Sequence, residues 1–102
     1  MRVIDLDASG WRTRDDFYAA ILPALGAPDW HGRNLDALED SLFAGDINAV
    51  EPPFVVRVTS TALLPEELSD YLRRWVEGVA ERRADSCITP TSPAFVGVEL
   101  IP

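Results

Sequence analysis

Three short apolar segments, set apart by stretches of helical periodicity, constrain the fold of this chain more than any other feature. "RVIDLD" (Arg2–Asp7) alternates around Val3, Ile4 and Leu6, the pattern of a short strand. "FVVRVTS" (Phe54–Ser60), rich in β-branched residues and preceded by Pro52-Pro53, reads as a buried strand. "AFVGVEL" (Ala94–Leu100) is a third, after a loop bearing Pro90 and Pro93. Thr13 with Asp16 three residues on has the form of a capping box. Phe17, Ala20, Ile21 and Leu25 follow at helical spacing, which predicts a helix over about 13–25, disturbed by Pro23 and ended by Gly26. Asn34 is a good N-cap for a second helix over 35–43, with Leu35, Leu38 and Leu42 as its apolar stripe and a close near Gly45. Pro65 opens a long third helix, with Glu66 and Glu67 in its first turn and Arg82 and Arg83 late, as the helix dipole prefers. Its buried face is Leu68, Leu72, Trp75, Val76 and Val79.

The order is therefore strand, helix, helix, strand, helix, strand. Strands separated by helices pair in parallel, so the expected architecture is α/β: a three-stranded parallel β-sheet with helices packed against it. At 102 residues the chain is one domain, 1–102, and its 47% hydrophobic content is that of a folded globule. Trp11 and Trp75 are expected in the core, Cys87 as a small buried hydrophobe, and Arg82-Arg83 as a solvated helix end.

The formal charge is −8, and every base is arginine. That balance disfavours nucleic-acid binding, which draws its affinity from cations on phosphate. It favours a basic partner. The acid is concentrated: residues 29–51 hold Asp29, Asp36, Glu39, Asp40, Asp46 and Glu51 against Arg33 alone. A lone cysteine and the lack of a signal-peptide core or an apolar run of about 18 residues lead us to expect a soluble protein of the cytoplasm.

Within that acidic stretch, Asp36, Glu39, Asp40 and Phe43 fall on an arc of about 100° beside the leucine stripe. Asp36 and Asp40 are one turn apart and repel by about 0.2–0.5 kcal/mol when exposed. No base stands at the compensating i+4 positions, and Trp30, His31 and Phe43 are expected to border the acids at the surface. A solvated acidic face is the ordinary reading of such a helix. Aromatic rings beside uncompensated charge suit an interface better. His31 with Asp36 and Asp40 also resembles a general acid–base or metal group, that of a small hydrolase. Yet no nucleophile motif, glycine-rich phosphate loop or Cys/His metal spacing accompanies it, so neither an enzyme nor a cofactor or metal site is expected.

"LGAPDWHGRNLDALEDSL" resembles the barstar family of small ribonuclease inhibitors. The shared pattern is proline, an aromatic pair, glycine, any residue, Asn-Leu-Asp-Ala-Leu and, two residues on, Asp. Here these are Pro28, Trp30, His31, Gly32, Asn34, Leu35, Asp36, Ala37, Leu38 and Asp40. The resemblance implies a 1:1 protein inhibitor of a basic, guanyl-specific microbial ribonuclease, monomeric when free. In that family the helix and its preceding loop plug the nuclease active site, with acids standing in for RNA phosphates. Carried over, Asp40 is the principal anchor, Asp36 a second acid, and Trp30 a ring against the catalytic region. Gly32 and Asn34 are loop positions at the interface, and Arg33, Ala37 and Phe43 share the surface. A family glutamate of the last helix falls on Glu77 first and Glu81 second. Two departures stand out. Glu39 replaces a common aromatic, which suggests a differently shaped or more basic target, and His31 replaces the second ring, which could add pH dependence at an interface. A related interaction module for another basic protein or nuclease toxin has the same surface.

Overall fold

The computed structural model describes residues 1–44 and 46–102; Gly45, the expected close of the second helix, lies outside the described residues. The strands are β1 (Arg2–Asp7), β2 (Phe54–Thr59) and β3 (Val96–Leu100), and the helices are α1 (Arg14–Leu25), α2 (Leu35–Ala44) and α3 (Glu66–Asp85). A single 3-10 turn, Thr61–Leu63, precedes α3 and has no counterpart in the sequence reading. The strands form one parallel sheet in the order β1-β2-β3, with Ile4 opposite Val56 and Val56 opposite Val98. This is the expected α/β architecture.

Burial alternates along β1 and β2, so the sheet has one core face and one open face. Ile4, Leu6, Phe54, Val56, Val58 and Val96 are buried. On the open face Arg57 lies between Asp5 at 3.7 Å and Glu99 at 3.4 Å. β2, read as wholly buried, therefore alternates buried and half-buried positions. β3 begins at Val96 rather than Ala94, because the Phe95 amide closes a turn onto the Ser92 carbonyl at 3.2 Å. Ser60 lies beyond β2 and adopts φ 61°.

α1 starts at the predicted capping box: the Thr13 hydroxyl accepts from the Asp16 amide, and the Asp16 carboxylate accepts from the Thr13 amide. Pro23 is accommodated near the helix end, and Gly26 terminates the helix at φ 65°. A Cβ on Gly26 would stand 2.6 Å from the Ala49 Cβ, so both dihedral and space require glycine. α3 buries Leu68, Leu72, Trp75 and Val79 as expected, together with Tyr71; Val76 is only half-buried. Phe17 of α1 packs on Trp75 with ring centroids 5.0 Å apart, and the Tyr18 and Tyr71 hydroxyls share a hydrogen bond. These contacts lock α1 to α3 behind the sheet. Cys87 is exposed, not buried, because α3 ends at Asp85 and Cys87 sits in a left-handed turn at φ 53°.

Candidate protein-binding edge

The segment from Pro28 to Ala44 forms a loop and a helix whose backbone is held from beneath. The His31 amide donates to the Pro28 carbonyl at 3.0 Å, a tight turn that pushes Trp30 outward to 76% exposure. The Asn34 side chain then accepts from the Ala37 amide at 2.8 Å, the predicted N-cap, and α2 follows. Leu38 and Leu42 are fully buried and Leu35 half-buried, so the leucine stripe fixes the helix against the core. Asp36 and Asp40 are exposed one turn apart on α2, and Asp40 borders the same hollow as Trp30. Between loop and helix lies this hollow, of about 200 Å³, lined by Trp30, His31, Gly32, Ala37, Asp40, Ser41 and Ile47.

His31 lines the floor of that hollow without being exposed. It is buried at 8% exposure, its Nδ1–H donates to the Gly32 carbonyl at 2.7 Å, and Nε2 lies 2.8 Å from the Ser41 hydroxyl. The Gly32 carbonyl only accepts, so Nδ1 carries a proton; the single Ser41 hydroxyl proton is shared between the Leu38 carbonyl at 3.0 Å and Nε2. The Ser41 oxygen also accepts from the Asn48 amide at 3.1 Å. The expectation of an exposed histidine is corrected: Ser41 and Asn48 offer a buried polar seat, and the ring staples the loop to α2. Both ring nitrogens are engaged inside the fold, by the Gly32 carbonyl and the Ser41 hydroxyl rather than by Asp36 or Asp40. Among the described residues no three His, Cys, Asp or Glu side chains come together as metal ligands. Removing the shared hydroxyl in Ser41→Ala leaves buried polar groups short of partners. It is expected to cost about 1–3 kcal/mol in chemical denaturation.

Glu39 also differs from expectation. Its side chain is only 12% exposed and turns toward α3, where Arg82 Nε lies 3.7 Å from Oε1. Gly78 of α3 makes the room: a Cβ there would meet Glu39 Oε1 at 2.5 Å. Arg82 continues outward and its Nη2 lies 2.6 Å from Asp40 Oδ1. Glu39 and Asp40 are thus compensated from another element, and Arg82 is not a free helix end. Arg83 is engaged too, donating to the Val96 carbonyl at 2.7 Å with its guanidinium 5.3 Å from the Phe95 ring centroid. Arg33 pairs with Asp15 of α1 at 3.1 Å, and Phe43 is half-buried against the core. Gly32 and Asn34 are exposed at the loop, and Ala37 is half-buried beside them.

Desolvation holds the Glu39 carboxyl above the usual range; Asp36, Glu81 and Asp40 add to this, whereas Arg82 opposes it. Glu81 and Glu77 are both exposed on α3. A raised native pKa means that the folded protein binds this proton more tightly than the unfolded chain. Stability therefore falls as pH rises from the ordinary value of 4.5 through the raised one, and stays lower above it. Glu39→Gln keeps the shape without the charge. It is expected to be more stable than wild type at neutral pH in urea denaturation, with the difference vanishing near about pH 4. A wild-type advantage at neutral pH would show that the Arg82 attraction outweighs burial.

Several of these features escaped the sequence reading: the Ser41–Asn48 seat, the reach of Arg82, and Gly78. Only Gly78 left a trace, since glycine inside a helix costs about 0.5–1 kcal/mol relative to alanine and marks a close approach.

Fold and edge together define a small α/β domain that projects acids and an indole ring from a rigid, stapled support. The chain matches the family described as Barstar (barnase inhibitor) over residues 1–95 and belongs to that family. It is a family of inhibitors rather than of catalysts. A search among curated proteins finds no match.

Proposed function

We propose that this protein is a stoichiometric inhibitor of a basic, guanyl-specific microbial ribonuclease of the barnase kind, acting in the cytoplasm of the cell that makes the nuclease. The observation that carries this reading is the projection of Asp36, Asp40 and Trp30 from one exposed edge whose backbone is fixed by buried Leu38, Leu42 and His31. A ribonuclease must gather cations to bind phosphate and stabilise its developing charge, so its active site is a concave basic pocket. A rigid acidic helix fits such a pocket, and a net charge of −8 steers the encounter. Asp40 enters the phosphate site, Asp36 faces a second cation, and Trp30 covers the rim. Gly32, Asn34 and Ala37 line the contact, with Glu77 ahead of Glu81 as the α3 acid beside it. His31 acts by holding the loop, Glu39 and Phe43 by packing inside it, and Arg33 through Asp15. Occlusion is the whole mechanism, with no bond made or broken.

The inward turn of Glu39 favours one variant of this reading. The ring common at that position in the family is absent from the surface, so the target is a ribonuclease or related basic nuclease shaped differently there. Chemical-shift mapping tests the surface: with one equivalent of unlabelled barnase, amides from Trp30 to Asp40 are expected to shift while Asp5 and Arg57 on the open sheet face stay fixed. Shifts confined to the sheet face, or none, would refute the assigned surface.

A further inference from the structure

Arg82 holds two carboxylates that differ in how much they need it. Asp40 is 62% exposed and is solvated with or without a counter-ion. Glu39 is 12% exposed, seated in the space left by Gly78, and has no comparable access to water. The charges that face Glu39 are Asp36 and Asp40 from its own helix and Glu81 and Arg82 from α3; of these only Arg82 favours its ionised form. Arg82 is therefore tethered by the buried acid and laid across the exposed one.

We propose that Arg82 is a specificity-determining residue: an internal counter-ion on Asp40 that a partner's cations must displace, and that Glu39 keeps at the rim of the interface once displaced. This rests on the reading of Asp40 as the acid offered to a partner. The consequence is a threshold. A single exposed lysine exchanges one ion pair for another and gains almost nothing, since exposed pairs are weak. Several cations converging in a pocket displace Arg82 and desolvate Asp40 together, and the exchange then becomes favourable. Afterwards the retained guanidinium repels a uniformly basic surface and matches one that carries a carboxylate beside its cations. Discrimination of this kind uses a repulsive element as well as an attractive one. A soluble acidic protein gains from it, because other cationic surfaces are held off its most exposed acid.

The test compares wild type with Arg82→Gln, Arg82→Lys and Arg73→Gln in binding to a ten-residue oligolysine peptide at low ionic strength. Arg73 lies on the same helix and pairs locally with Asp70, so its loss reproduces the change in net charge about 13 Å away along the axis. Arg82→Gln is expected to bind oligolysine roughly two- to fivefold more tightly than wild type, with Arg73→Gln and Arg82→Lys close to wild type. Glutamine retains helix propensity, and unchanged far-ultraviolet circular dichroism verifies the fold. Arg82→Gln binding no more tightly than Arg73→Gln, or more weakly than wild type, would overturn the proposal. Failure of the wild type to inhibit any ribonuclease would refute the proposed function instead, and the oligolysine comparison would still decide the role of Arg82.

Discussion

Asp40→Ala is expected to weaken the complex with a barnase-type ribonuclease by roughly 30-fold to several thousandfold, mainly through faster dissociation. The reasoning begins with position. Asp40 stands in the middle of α2, beside the hollow under Trp30 and opposite Arg82. In the proposed complex it is the acid that the cations of the nuclease would surround. Removing it leaves those cations buried without a partner. Truncating one member of such a pair costs about 2–5 kcal/mol, a range known from the founding complex of this family. Free Asp40→Ala should fold normally, because Asp40 is exposed and Arg82 keeps Glu39. Asp70→Ala is the control: that acid pairs with Arg73 on α3, away from the edge, and its loss should change affinity less than about threefold. Equal, small effects from both substitutions, read by stopped-flow dissociation, would remove Asp40 from its role.

Trp75→Ala is expected to be the most damaging change to the fold, at about 3–5 kcal/mol. Trp75 is fully buried and packs against Phe17, so it joins α3 to α1 as well as to the sheet. Small domains have a total stability of only about 5–15 kcal/mol, so the variant would be marginal and inhibition would fall with the folded fraction. The urea midpoint should drop sharply at an unchanged slope. Trp75→Phe should lose much less. It keeps the ring and removes an indole N–H that has no hydrogen-bond partner among the described residues. A loss below about 1 kcal/mol in Trp75→Ala would show that the core is not organised around this ring.

How far such a molecule can be read from its sequence depends on what decides each residue. β1 begins and ends where alternation places it, and the Thr13–Asp16 box opens α1 as predicted, because both are decided by neighbours within a few residues. Leu38 and Leu42 were legible for the same reason: periodicity states which side of a helix is apolar. It does not state which element comes to lie beside the boundary of that stripe. Glu39 and His31 sit on this boundary. Glu39 was turned inward by a glycine and an arginine some forty residues away, and His31 by a serine on the next helix. Arg82 read as a solvated end because its own helix shows only its position in the last turn, not the acids it reaches. Cys87 read as buried because its residue type favours burial, whereas a left-handed turn after α3 places it outside. The exposure of Asp36 and Asp40 on α2 was legible through the loop–cap–stripe pattern, and the counter-ion that lies on Asp40 was not.

Titration of a fixed amount of barnase with the purified protein, followed by residual ribonuclease activity, tests active-site occlusion most directly. The account predicts a straight loss of activity that reaches zero at one equivalent. Undiminished activity at a large excess of the protein would contradict it.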